Sequence, residues 1–304
     1  MATTLDLPAV VMGRRPVHRS ARKLADQASR AAIENAGLQG DDIDLLLNVG
    51  IYHERNMGEP AMAALIQEDV GINPEDPHVG GHGSFSFDIA NGGCGVLTAL
   101  QVADGFLQSG AIGHALIVAS DAHPGHGAAP GFPFSPSGAA VVCSWEDGPI
   151  GLAGFRWESA PEDGYPFRSR IGFEHRRNVL RIEKDADFET RAAPWAAKTA
   201  SSLLADHDMR PADVDLVVAS PLTVAFLEGL SAHVGIGMER FLVVEGAEHV
   251  HTAALLVALA AATEQGRLHD AREQLEFELK LGADPEASMM LEEVDADLNS
   301  GAAR

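Results

Sequence analysis

Cys94 is the residue of this chain best suited to nucleophilic chemistry. It follows Asn91-Gly92-Gly93 at the end of an apolar run and opens a helical stretch from Cys94 to Gln108. The two glycines allow a sharp turn that other residues resist. A thiol at a helix N-terminus meets unpaired N–H groups and the positive end of the helix dipole, and both favour thiolate. Those N–H groups also suit the oxyanion formed when a thiolate attacks a thioester carbonyl. Gly93 and Gly95, on either side of the cysteine, are therefore candidate substrate-binding positions. The competing reading is a small buried cysteine at a strand–helix junction. Cys143, inside the apolar run AAVVCSW, reads as core.

A second candidate group lies far along the chain. His249-Val250-His251 stands just before another apolar helical stretch, from about Thr252 to Gln265. Counting back from Gly110 and Gly266, which close the two stretches, sets Val250 opposite Cys94. The two histidines thus flank the counterpart of the thiol. A neutral imidazole there can take the thiol proton or hydrogen-bond a substrate carbonyl. A helix cap or a packed core histidine is the alternative. The pairs His78/His82 and His123/His126 sit in Gly- and Pro-rich stretches without cysteine or a carboxylate set, so no metal is expected. Gly80-Gly81-His82-Gly83 lacks the strand before it and the helix after it that a dinucleotide site needs.

The elements that must position these groups repeat. SARKLADQASRAAIENAGL, then DDIDLLLNVG, then a helical stretch ending in VGI, is answered by RAAPWAAKTASSLLADHDM, ADVDLVVAS and a second stretch ending in VGI. Each copy continues into a strand, Phe85 to Ala90 or Arg240 to Glu245, and then into one of the two chemistry-bearing helices. Each closes with β-rich runs, HALIVAS and GAAVVCSW in the first, LEFELKLG and ASMMLEEV in the second. Short, continuously apolar runs alternating with helices imply mainly parallel strands buried on both faces. Two copies imply an α/β fold of two pseudo-symmetric βα halves in a five-layered αβαβα arrangement, with residues 1–155 as one half and 156–304 as the other. Segment 156–190, rich in Arg, Asp and Glu, reads as connecting surface loop.

Composition narrows the partners. The 304 residues are 46% hydrophobic and 22% charged, which supports a sizeable core. A formal charge of −22 repels phosphate backbones and anionic lipid, so neither nucleic acid nor membrane is expected as a partner. The longest nearly apolar stretch falls short of a membrane span. Two cysteines and no signal-like N-terminus suit a cytoplasmic setting.

Asp88-Ile-Ala-Asn-Gly-Gly-Cys94-Gly, with a following helix that ends in Ser-Gly, resembles the nucleophile segment of the thiolase superfamily, most closely the type III β-ketoacyl synthases and their acyltransferase relatives. The resemblance runs from Ser20 to about Val294. It implies the thiolase-like fold, a homodimer or a heterodimer with a ketosynthase-like homologue, and acylation of Cys94 by an acyl-CoA or acyl-carrier-protein thioester, with no resident cofactor. It also implies that the loop at His53 and Glu54 reaches the substrate channel or the dimer partner, with Glu54 a candidate accessory base and a solvated loop charge as the alternative.

Departures from the family pattern shape the expected activity. Where the family has a histidine in a His-Gln-Ala-Asn pattern, alignment on Asp215-Leu-Val-Val places Ser220. Where it has an asparagine in a Gly-Asn-Thr-Ser pattern, spacing places His249, or Val250 or His251 after a slip of one or two residues. The expected set is Cys94, Ser220 and His249, with His251 beside it. A serine hydroxyl supplies a hydrogen bond but no positive charge, so decarboxylative condensation should be impaired while acyl transfer is retained. The family's oxyanion-supplying turn reads Gly282-Ala283-Asp284-Pro285, where Ala283 keeps an N–H beside an unfavourable charge. The rival expectation is a catalytically silent subunit supporting an active homologue; thioester hydrolysis uses the same residues. An acidic carrier protein would need the local arginines Arg168, Arg170, Arg176, Arg177 and Arg181.

Overall fold

A computed structural model of the chain describes residues 1–13, 20–73, 83–125, 127–148, 151–161 and 166–268. The apolar runs of the first half form one sheet from β1 (Ala2–Leu5), β2 (Ala9–Met12), β3 (Leu45–Asn48), β4 (Phe85–Asp88), β5 (His114–Asp121) and β6 (Ser137–Glu146). Its order is β1-β6-β5-β3-β4, and β2 also pairs with β6. β3 lies parallel to β4 and β5, whereas β6 runs antiparallel to β5, β1 and β2. The parallel strands are linked through α2 (Met62–Val70) and α3 (Gly95–Gln108), after α1 (Ala21–Asn35).

Period-two alternation sorts the side chains between faces. Leu45, Leu47, Ile117 and Ala119 pack in a central core with α3, while Leu46, Leu116 and Val118 face an outer core with α1 and α2. In the second half, α4 (Phe188–Asp206), α5 (Val224–Val234) and α6 (Ala254–Glu264) follow the same plan. Leu216, Val218 and Leu242 join α3 and α6 in the central core; Val217, Ala219 and Phe241 face α4 and α5 in a third. The layers run α1/α2, sheet, α3/α6, the runs at 214–219 and 241–242, then α4/α5. This is the thiolase-like arrangement. Emptying a position such as Leu47, which is fully buried between layers, costs about 2–5 kcal/mol.

Two regions depart from the sequence reading. The expected strand from Arg240 to Glu245 is, among the described residues, a single parallel bridge between Val217 and Phe241. It is held by Val217 N–H to the Arg240 carbonyl (2.8 Å) and Leu242 N–H to the Val217 carbonyl (3.0 Å). The supposed loop at 156–190 instead contains an antiparallel hairpin, β7 (Phe167–Glu174) and β8 (Arg177–Lys184). The hairpin is tied to the first half by the Asn56 carboxamide, which donates to the Ala128 and Asn178 carbonyls (3.1 and 3.0 Å). Leu180 N–H adds a bond to the Ala128 carbonyl (2.7 Å). The closing runs LEFELKLG and ASMMLEEV lie outside the described residues, as does Ala283. No helix among the described residues is long and apolar enough to cross a membrane.

Candidate active site

The sharp turn expected before Cys94 is a 3-10 turn, Gly92–Cys94, with Gly92 in the left-handed region (φ +49°). The Asn91 side chain donates to the Thr98 hydroxyl (2.8 Å), which donates to the Cys94 carbonyl (3.2 Å), so the turn is braced against the first turn of α3. Cys94 itself is 4% exposed at the helix start, and no acidic residue stands in that first turn. The dipole end is therefore unopposed by a neighbouring carboxylate there.

The glycines are used differently from the sequence expectation. Cys94 N–H donates to the Asn91 carbonyl (2.9 Å) and Gly95 N–H to the Gly92 carbonyl, so both are engaged in the turn rather than held ready for an oxyanion. A Cβ on Gly95 would come within 3.0 Å of the Val49 Cβ. Close packing of α3 against the end of β3 accounts for this glycine. A Cβ on Gly93 would lie 3.4 Å from the Ser220 hydroxyl oxygen. Ser220, from the second half, thus stands at the Cys94 turn.

The three residues before α6 separate sharply. His249 is exposed, and its carbonyl accepts Ser135 N–H (2.8 Å). His249 thus stands on the exposed side of this segment. Val250 is 4% exposed and packs in the central core with Leu97 and Leu222. His251 is turned inward, with its side chain 13% exposed, among the rings of Tyr52, Phe134 and Phe167 at centroid distances of 5.2, 4.2 and 6.1 Å. Its Nδ1 lies 3.4 Å from the Asp121 carboxylate. That contact is longer than an ordinary N–H···O bond and off its best angle.

Asp121 was not singled out by sequence reasoning. It ends β5 and is fully buried. One carboxylate oxygen accepts the N–H groups of Ile51 and Tyr52 (3.1 and 2.9 Å); the other accepts Thr252 N–H and the Thr252 hydroxyl (2.9 and 2.6 Å). Burial alone would raise its pKa. His251, the Thr252 hydroxyl and Tyr52 N–H outweigh that effect and hold it well below the usual carboxylate range. The signal available in the sequence was a carboxylate closing the continuously apolar run HALIVAS.

The loop after β3 is less open than expected. Both ring nitrogens of His53 face carbonyls of its own loop, Nδ1 to Met57 (3.2 Å) and Nε2 to Gly50 (3.1 Å), and the residue is buried. His53 therefore closes the loop. Glu54 is half-buried, with one carboxylate oxygen that meets neither solvent nor a hydrogen-bond donor. Cys143 is buried in β6. His78, His82 and His126 lie outside the described residues, and the described residues hold no group of three His, Cys, Asp or Glu placed to bind a metal.

No family model matches the chain. The β-ketoacyl-[acyl-carrier-protein] synthase III of Alkalilimnicola ehrlichii is 24% identical over 263 residues, covering 81% of this chain and 76% of that protein. The enzyme of the same name from Thiobacillus denitrificans is 36% identical over 98 residues, or 32% of this chain and 28% of its own. Among solved structures, 3-oxoacyl-(acyl carrier protein) synthase III from Pseudomonas aeruginosa superposes with a TM-score of 0.74 at 16% identity, covering 89% of this chain and 92% of its own. A Xanthomonas campestris OleA variant with bound lauric acid and lauroyl-CoA gives a TM-score of 0.71 at 17% identity, covering 88% and 92%. The chain is thus a thiolase-fold protein similar to the β-ketoacyl-[acyl-carrier-protein] synthases III.

Proposed function

We propose that this protein is a ketosynthase III-like acyltransferase that carries an acyl group on the Cys94 sulfur. The observation that carries the reading is the juxtaposition of the Cys94 turn, at a helix N-terminus without a neighbouring carboxylate, with the Ser220 hydroxyl from the other half. A Cys94 thiolate attacks the carbonyl of an acyl-CoA or acyl-carrier-protein thioester, the donor C–S bond breaks, and the departing thiolate takes up the proton that Cys94 lost. An amine, hydroxyl or thiol acceptor then attacks the acyl-cysteine, gives its proton to a base, and frees the Cys94 thiolate. His251, inward and braced, is better placed for that base than exposed His249. Ser220 supplies the carbonyl a neutral donor. Ser220, where the family has a histidine, supplies a hydrogen bond but no positive charge, so malonyl decarboxylation should be poor.

The reading includes a cytoplasmic setting and a homodimer or heterodimer formed along β4, an edge strand whose Phe85 is 61% exposed. A carrier protein would meet the arginines of the β7–β8 hairpin, two of which, Arg170 and Arg181, are already paired with Glu183 and Glu174. Intact-mass measurement after exposure to acetyl-, lauroyl- and malonyl-CoA tests the proposal. An acyl adduct on the wild-type protein that is absent from Cys94→Ala is expected. No adduct from any donor, or one that persists in Cys94→Ala, overturns it. The former result favours the silent-subunit reading, which rests on the loss of the family's histidine at Ser220 and of its asparagine before α6.

A further inference from the structure

The Asp121–His251 contact joins the two halves at a buried point. Its donor and acceptor roles follow from simple accounting. An ionised carboxylate only accepts hydrogen bonds, and Asp121 already faces four donors from Ile51, Tyr52 and Thr252. His251 Nδ1 is buried and has no hydrogen-bond partner of good geometry; the polar atom facing it is an Asp121 oxygen at 3.4 Å. An unprotonated Nδ1 would set two lone pairs against each other in a place water does not reach, which is costly. A protonated Nδ1 replaces that repulsion with attraction. The rings of Tyr52, Phe134 and Phe167 flank the imidazole without formal charge, and among the described residues Asp121 is the carboxylate paired with it.

We propose that Asp121 is a positioning residue that holds the neutral His251 ring with its proton on Nδ1, leaving Nε2 as the ring's proton acceptor. The use of that acceptor rests on the acyl-transfer reading; the protonation pattern does not. In the transfer step the attacking N–H, O–H or S–H bond breaks as the new acyl bond forms. The proton goes to Nε2, and Asp121 stabilises the resulting imidazolium. General-base assistance of this kind contributes roughly 10²–10⁴-fold in rate, which bounds the loss when the wrong nitrogen carries the proton.

The test is a long-range nitrogen–proton correlation spectrum of the full chain labelled with 15N-histidine, recorded at a pH where the ring is neutral. His251→Gln identifies the signal. A protonated Nδ1 with an unprotonated Nε2 is expected; an unprotonated Nδ1 overturns the proposal, whatever the protein's activity. In Asp121→Asn the carboxamide can donate to Nδ1, so the proton should move to Nε2, and acyl release from Cys94 should slow by roughly 10-fold or more within the bound above while Cys94 still becomes acylated. If that variant does not fold, the wild-type spectrum still decides. If the wild-type protein shows no acyl adduct, the function proposed above fails while the spectrum continues to test this one.

Discussion

The N-termini of α3 and α6 occupy equivalent places in the two halves and are finished in opposite ways. At α6, a buried carboxylate from β5 takes Thr252 N–H and its hydroxyl, so the approach to that helix is filled by the protein's own anion. At α3 the turn closes on itself through Asn91 and Gly92, and the residue at the helix start is a thiol with no acidic side chain in the first turn. One end of the pair is neutralised internally, and the other keeps its attraction for an incoming anion. Two equivalent helix starts thus differ in charge through the choice of a few side chains.

Removing the carboxylate is the strongest challenge to that contrast. Asp121→Ala strands four donors and the facing imidazole in a buried place, and a loss of about 3–5 kcal/mol is expected. Urea unfolding monitored by circular dichroism measures it; an unchanged midpoint would show that α6 does not depend on the anion. Because the Asp121 pKa is depressed, its contribution is present above the ordinary carboxylate range and fades as pH falls below about 4.

A smaller effect is expected at the start of α3. Gly95→Ala forces a methyl group against Val49 and should cost about 1–3 kcal/mol by overpacking. Combined with Val49→Ala, the double variant should be more stable than the two separate losses predict, as the same unfolding assay would show. Simple additivity would mean that the glycine serves something other than packing.

Asp26 supplies the subtlest comparison. It is half-buried on α1 beside Asp69, which pairs with Arg22. Burial first, and then Asp69, push its carboxyl up to about 7. The same residue type is held down at Asp121 by donors and pushed up here by burial and a like charge. A raised acid favours folding while protonated, so this contribution is full below about pH 4 and is lost as pH rises through 7. Asp26→Asn should therefore raise the urea midpoint at pH 8 and leave it nearly unchanged at pH 4. A gain equal at both values would remove titration as the cause.

The layers were legible where burial is two-sided, because β3, β5 and β6 carry almost uninterrupted apolar runs and α1 buries Leu24, Ala25, Ala28 and Ala32 on one stripe. The β7–β8 hairpin was hidden because most of its residues are exposed, which leaves no hydrophobic alternation to read. Its turn also places His175 and Arg176 at positive φ (47° and 63°), where a glycine or asparagine would have been the usual signal. Cys94 and its turn were legible from local sequence. Spacing brought the reading to His249, Val250 and His251 but left open which one faces inward, since that choice is made by the helix's rotation against the core. Asp121 was missed because its donors come from Ile51, Tyr52 and Thr252, far away in the chain.

The hairpin also bears on how the thioester donor proposed above would approach. It carries six Lys and Arg residues against two Glu, in a chain whose overall formal charge is −22. The CoA or carrier-bound donor proposed above would be drawn to this basic hairpin, whose Phe167 ring lies 6.1 Å from that of His251. Productive collisions of such a donor would then gather on that side, and added salt would weaken the attraction.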